Sequence, residues 1–290
     1  MNGIVLVNKP KGITSHDVVS RLRKQLKTAK IGHTGTLDPM ATGLLVVCVG
    51  NATKMVKYLL SDSKEYLAEI TFGVQTDTDD ITGEVISQIS LDNLDQIALK
   101  QSLDSFLGVT MQIPPVASAI KINGKRAYEF VHKHLEKPEM EPREITIFEI
   151  EQLKPVTKVE NCFVVSLRIL CSKGTYIRAL ARDLGQKLGI PSTLSSLVRT
   201  KVGSMSLTEA DELETITNDH VTFHDPLEYL GFPSVIVDDY YRQIVLHGAF
   251  LPLDLFETYE ETIVMDAMNH PLAIYTYDST KNIMRLSVLL

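Results

Sequence analysis

The chain has 290 residues, of which 44% are hydrophobic and 22% charged, with a formal net charge of −7. That length and apolar fraction support one large domain, or a large and a small one, around a sizeable core. The longest strictly apolar runs, such as LLVVCV at 44–49, fall far short of the roughly 20 residues that a membrane helix needs. The first residues, MNGIVLVNKPKG, lack both a basic lead and a long apolar stretch, so no signal peptide is expected. Cys48, Cys162 and Cys171 are odd in number and form no C-x-x-C, which points to a reducing compartment, the cytoplasm, and away from a disulfide framework. The charge is unevenly spread. Residues 1–60 hold nine Lys/Arg against two acids, and residues 221–290 hold three against ten. The N-terminal part is therefore suited to a polyanion, and the tail is acidic.

In chain order, GIVLVNK (3–9) reads as a strand that ends in a Lys-Pro-Lys-Gly turn. Ser15 is the expected N-cap of a helix, with Asp17 in its first turn and Val18, Val19, Leu22 and Leu26 on its apolar stripe. LLVVCVG (44–50) is unbroken in its apolar character, as a buried strand is. ATKMVKYLL (52–60) suggests a short helix, KEYLAEITFG (64–73) a strand, and TDTDDITGE (76–84) a turn of solvated acids before another strand. Residues 91–107 suggest a helix. REITIFEIEQL (143–153) and NCFVVSLRILCSKG (161–174) suggest strands, and TYIRALARDLGQKLG (175–189) a helix closed by Gly189 and Pro191. The expected fold is α+β, with a mixed, mostly antiparallel sheet. A shift in composition near residue 230 divides a large domain, 1–230, from a small β-rich one, 231–290.

The chemistry concentrates in two stretches. In GHTGTLDPMATGLLVVCVG (32–50), Asp38 is the only carboxylate, set among Gly, Thr and Pro before a core strand. It is either a solvated turn residue or a carboxylate held at a fixed angle, able to act as a nucleophile. No neighbouring acid in that stretch would repel it. In GTYIRALARDLG (174–185), Tyr176 and Arg178 fall off the helix's apolar stripe, at its first turn. Arg178 is either a surface residue or a planar fork aimed at a carboxylate. Tyr66 in SKEYLAE covers a sheet face or offers a ring for stacking on a base. Lys121, Lys125 and Arg126 make the loop after IPPVAS basic. His132/His134 and His220/His224 have pairwise ligand spacing without a third partner, so no metal site is expected.

Taken together, VNKPKGITSHDVV (7–19), GHTGTLDPMATGLLVVCVGNATK (32–54), KEY (64–66), TDTDDITG (76–83), IPPVASAIKINGKRAYE (113–129) and GTYIRALARDLG (174–185) resemble the bacterial-type tRNA pseudouridine-55 synthases, the tRNA pseudouridine synthase B family, over roughly residues 3–205. The resemblance implies a pseudouridine synthase fold with a small C-terminal PUA-like domain. It implies isomerisation of a uridine in the T stem-loop of tRNA by a monomer, with no cofactor and no metal. Asp38 would then be the nucleophile and Arg178 its partner. Tyr66 would stack on the flipped uracil, Tyr176 and Leu197 would complete the pocket, and His33 would help displace the base. Lys64 would join the substrate contacts, and Lys9, Lys121, Lys125 and Arg126 would meet RNA phosphates. Ala117 stands where the family commonly carries an aromatic residue. Two rival readings make other demands. A non-catalytic RNA-remodelling module would lack the Asp, Arg or Tyr, and an aspartate phosphotransferase built on Asp77 and Asp79 would need magnesium.

Overall fold

The computed structural model describes residues 2–60, 63–118 and 138–290, and the backbone alone of Lys121–Ile122 and Lys125–Arg126. The strands are β1 (Gly3–Lys9), β2 (Ile31–His33), β3 (Thr42–Val49), β4 (Ser63–Phe72), β5 (Val74–Thr76), β6 (Val85–Gln88), β7 (Gly108–Gln112), β8 (Lys121–Ile122), β9 (Lys125–Arg126), β10 (Arg143–Gln152), β11 (Thr157–Val159), β12 (Cys162–Ser172), β13 (Ser192–Val202), β14 (Met205–Ser206), β15 (Asp211–Glu212), β16 (Ser234–Ile236), β17 (Thr262–Met265), β18 (Pro271–Asp278) and β19 (Ile283–Leu289). The α-helices are α1 (Ser15–Gln25), α2 (Gln96–Asp104), α3 (Ile177–Leu188) and α4 (Asp239–Leu246).

One sheet runs β15-β1-β3-β13-β4-β12-β10-β7, with β2, β11 and β14 hydrogen-bonded at its sides. Its pairings are antiparallel except for β1 with β15 and β3 with β13. Alternation decides which face each strand buries. Tyr66, Ala68, Ile70 and Phe72 of β4 point into a core shared with Ile177, Leu180, Ala181 and Leu184 of α3 and Leu99 and Leu103 of α2. On the opposite face, Arg168 of β12 meets Glu65, Glu149 and Glu151 across three neighbouring strands. A second sheet, β16-β17-β18-β19, closes the chain. Ile263, Ile274 and Val288 of that sheet share one hydrophobic cluster with Ile4 and Leu6 of β1 and Leu44 and Val46 of β3. Among the described residues no helix is long and apolar enough to cross a membrane.

Two local expectations are corrected. The short helix expected over 52–60 is a 3-10 helix that starts and ends earlier, Gly50–Met55. Thr14, not Ser15, caps α1. Its backbone is extended, its hydroxyl accepts from Asp17 N at 3.0 Å, and the Asp17 carboxylate accepts from Thr14 N at 2.9 Å. Ser15 is thereby free for other work. It is buried, and its Oγ accepts from Leu37 N at 2.8 Å and donates to Leu37 O at 3.1 Å. Thr14→Ala should lower stability by about 1 kcal/mol, read by urea unfolding. Loss of the Ser15 hydroxyl should instead disturb the residue beside Asp38.

Candidate active site

Asp38 lies in the loop 34–41, between β2 and β3, and that loop is tied down along its length. Thr34 N donates to Val46 O at 3.0 Å, Ser15 pins Leu37, and Ala41 N donates to Asp38 O at 3.1 Å. The Lys-Pro-Lys-Gly turn reaches it too, with Gly12 N donating to Pro39 O at 2.8 Å. Gly43, at the start of β3, adopts φ +98°, and a Cβ there would also collide with the backbone of Arg199 on β13. A side chain is therefore excluded there on two separate grounds. Leu37, Met40 and Ala41 turn inward, into the cluster that also holds Tyr66 and Leu197.

Arg178 reaches the carboxylate from the first turn of α3. Its Nη2 donates to Asp38 Oδ1 at 3.1 Å, and its Nε stands 2.9 Å from Oδ2. The pair is unequally covered, since the Arg178 side chain is 4% exposed and that of Asp38 34%. The carboxylate is thus the accessible member. Arg178 also donates to Thr78 O at 3.1 Å and to Ala117 O at 2.8 Å, and it lies 3.6 Å from the Asp80 carboxylate. The contact at position 117 is made by a backbone carbonyl, so it does not need an aromatic side chain there. The start of α3 is itself clamped. The Gln112 side chain accepts from Tyr176 N at 2.9 Å and donates to Tyr176 O at 3.1 Å.

The turn 76–83 corrects the expectation of solvated acids. Asp79 and Asp80 are buried. Asp80 accepts from Thr82 N at 3.0 Å and from Thr78 Oγ1 at 3.2 Å, while Asp79, at φ 63°, pairs with Arg182 at 3.0 Å. Burial pushes the Asp79 carboxyl up, and Arg182 and Arg178 offset only part of the rise. A carboxylate engaged in this way is not free to be phosphorylated, which removes the support for a phosphotransferase built on Asp77 and Asp79. Asp80 also means that the site holds two carboxylates around one guanidinium, although the stretch around Asp38 holds one.

Tyr66, Leu197 and Tyr176 come to the same region. Tyr66 and Leu197 are each 7% exposed and share the cluster under the Asp38 loop. Tyr66 is therefore covered, and burial raises its phenol. Tyr176 is half-buried, and burial raises its phenol also. His33, on β2, has an imidazole Nδ1 that is buried without a hydrogen-bond partner, and desolvation lowers its pKa. Lys64 donates to Leu60 O at 3.2 Å.

Lys9 is the clear correction. It is wholly buried, and its ammonium donates to Pro10 O at 2.9 Å and Ile13 O at 2.8 Å, so it braces the turn under the Asp38 loop and is withdrawn from the surface at which a phosphate was expected. Burial pushes it from 10.5 down to about 8, with Asp38 pulling the other way. Between those values the folded chain binds fewer protons than the unfolded one, so Lys9 adds stability as pH rises through the window. The stability difference between wild type and Lys9→Met should therefore move in favour of wild type across it. Urea titrations at its two ends check this, and an unchanged difference would mean that Lys9 titrates as if in water. The side chains of Lys121, Lys125 and Arg126 lie outside the described residues, as do His132 and His134. The backbone of the first three forms the short antiparallel pair β8–β9.

Sequence reading missed Asp80, Ser15, Gln112 and Arg199. Only Arg199 left a local signal: it sits two residues after Leu197 on the inward face of an alternating strand, where a cation is out of place.

An aimed carboxylate, an arginine clamp and a neighbouring tyrosine on a mixed sheet define a class. The sequence matches the TruB family pseudouridylate synthases (N-terminal domain) over residues 23–177, and the chain belongs to that family. Its similar relatives carry one particular name, tRNA pseudouridine synthase B. The protein of that name from Bacillus pumilus is 40% identical over 305 residues, covering 100% of this chain and 98% of the relative. The one from Staphylococcus saprophyticus is 38% identical, covering 94% of each. Among solved structures, a Cbf5-Nop10-Gar1 complex superposes with a TM-score of 0.70 at 24% identity, over 99% of this chain and 84% of that one. An H/ACA RNP bound to a substrate RNA containing 2'-deoxyuridine gives 0.68 at 23%, over 99% and 83%. These last two establish the shared fold.

Proposed function

We propose that this chain converts uridine 55 in the T arm of tRNA to pseudouridine, with Asp38 as the nucleophile. The observation that carries the reading is the asymmetric pair: a guanidinium sealed in the protein holds a carboxylate whose own side chain is one-third exposed. In the reaction the N1–C1′ bond of the nucleoside breaks and a C5–C1′ bond forms. The C5 proton leaves, and N1 ends with a proton. Attack at C1′, addition at C6 of uracil and elimination to a glycal all call on the same carboxylate. A base stacked inside a folded arm must first be flipped out, which costs a few kcal/mol. Stacking on an aromatic ring returns about 1–3 kcal/mol per base. Tyr66 is assigned the stacking ring, Tyr176 and Leu197 the pocket walls, and His33 and Lys64 contacts to the displaced nucleotide. Lys121, Lys125 and Arg126 are assigned the phosphates.

The test incubates the protein with an unmodified tRNA transcript in EDTA and maps pseudouridine along it. Product at uridine 55 alone supports the reading. Product elsewhere in the transcript overturns the assigned position. No product from a folded protein that binds the tRNA overturns the reading itself.

A further inference from the structure

We infer that Arg199 is a positioning residue for the reaction, a buried cross-brace that joins both stems of the loop carrying Asp38. This rests on the reading of Asp38 as the nucleophile. Arg199 is 2% exposed, among the largest fully buried side chains of the molecule. Its Nη2 donates to Gly35 O at 3.2 Å and its Nη1 to Thr36 O at 3.4 Å, both ahead of Asp38. Its Nε donates to Leu44 O at 2.8 Å, behind it. In the sheet its backbone lies opposite Gly43 on one side and Tyr66 on the other. One residue thus touches the loop that holds the carboxylate and the strand that holds the ring.

The chemistry of the brace is informative. Burying a guanidinium costs several kcal/mol unless its donors are used. The acceptors here are main-chain carbonyls, with the Tyr66 phenol beside them, and no carboxylate pairs with the guanidinium among the described residues. Its field reaches the neighbours, and it contributes to the lowered values of Lys9 and His33. A leucine at this position would fill the same face of β13, where Leu197 and Val202 are also buried, without that penalty. What a leucine lacks is a planar set of donors wide enough to bind carbonyls from two segments at once. Three carbonyls fixed from one side leave the loop little freedom, and a nucleophile displaced by 1 Å can lose about 100-fold in rate.

The test uses Arg199→Lys, which keeps the charge but reaches fewer carbonyls, beside Arg199→Met, Arg178→Lys and Asp38→Asn. Turnover is measured at saturating tRNA transcript, with affinity and melting temperature alongside. Arg199→Lys should fold, bind tRNA within about threefold of wild type, and lose about 100-fold in kcat. The double variant with Arg178→Lys should lose far less than the product of the two single losses, because both changes release the same carboxylate. A merely structural residue would shift the melting temperature and leave that cycle multiplicative. A folded Arg199→Lys with near-normal kcat, or losses that multiply, would overturn the proposal. So would failure of both Arg199 variants to fold, which would make it a folding residue. An active Asp38→Asn would overturn the nucleophile reading itself. A dead Asp38→Asn beside an active Arg199→Lys would remove only the brace.

Discussion

Asp38→Asn should abolish pseudouridine formation, by at least ~10³-fold in kcat, while tRNA affinity stays within about threefold of wild type. The amide matches the carboxylate in size but cannot attack carbon. The surroundings should survive the change. Arg178 keeps the carbonyls of Thr78 and Ala117 and the carboxylate of Asp80, so its guanidinium stays in place without its charged partner on the loop. The loop keeps the Ser15, Gly12 and Arg199 contacts, none of which uses the Asp38 side chain. Single-turnover assays at saturating tRNA, with filter binding, make the measurement. An Asn variant that retains about a tenth of wild-type turnover would remove Asp38 from the role of nucleophile.

Arg178→Lys should lose about 100-fold or more in kcat, with a smaller change in affinity and a lower melting temperature. Four acceptors converge on this one guanidinium, from the Asp38 loop, the turn 76–83 and residue 117. A single ammonium on a flexible stem can serve some of them but not all. Arg178→Met should be worse for stability, because it leaves the buried Asp80 without its cation; removing one partner of a buried pair costs roughly 3–5 kcal/mol. If the lysine variant turns over within about threefold of wild type, charge alone is what the site requires.

Elements set by near neighbours are legible in the sequence, and contacts between distant segments are not. β1, β3, β4 and β12 were legible because unbroken or alternating apolar residues report burial locally. The end of α3 was legible in Gly189, which adopts φ 66° as a helix C-cap. Asp38 and Arg178 stood out by residue type and setting, and the family resemblance joined them. The rest depends on partners far apart in the chain. Arg178 meets Asp38, Thr78 and Ala117 across 140, 100 and 61 residues. Asp79 and Asp80 read as solvated because acids in a Thr-rich turn usually are. Only the arrival of Arg182 and Arg178 makes their burial tolerable. Lys9 is the exception: the carbonyls that cap it, those of Pro10 and Ile13, are close in sequence, but a lysine entering a Lys-Pro-Lys-Gly turn reads as exposed, and only the packing of β1 and the Asp38 loop buries it.

The cluster that joins the two sheets sets an order on how the chain can be made. Ile4 and Leu6 are synthesised well before part of their cover, Ile263, Ile274 and Val288. At about 5–20 residues per second, that apolar face waits roughly 10–50 s for its final partners. A nascent chain stalled before the second sheet emerges would carry β1 and β3 with one side only half sealed. Such a chain is open to capture by chaperones and to pairing with its own copies. For this molecule the second sheet is therefore also a late seal on the first, the point at which an exposed apolar face gains the rest of its cover.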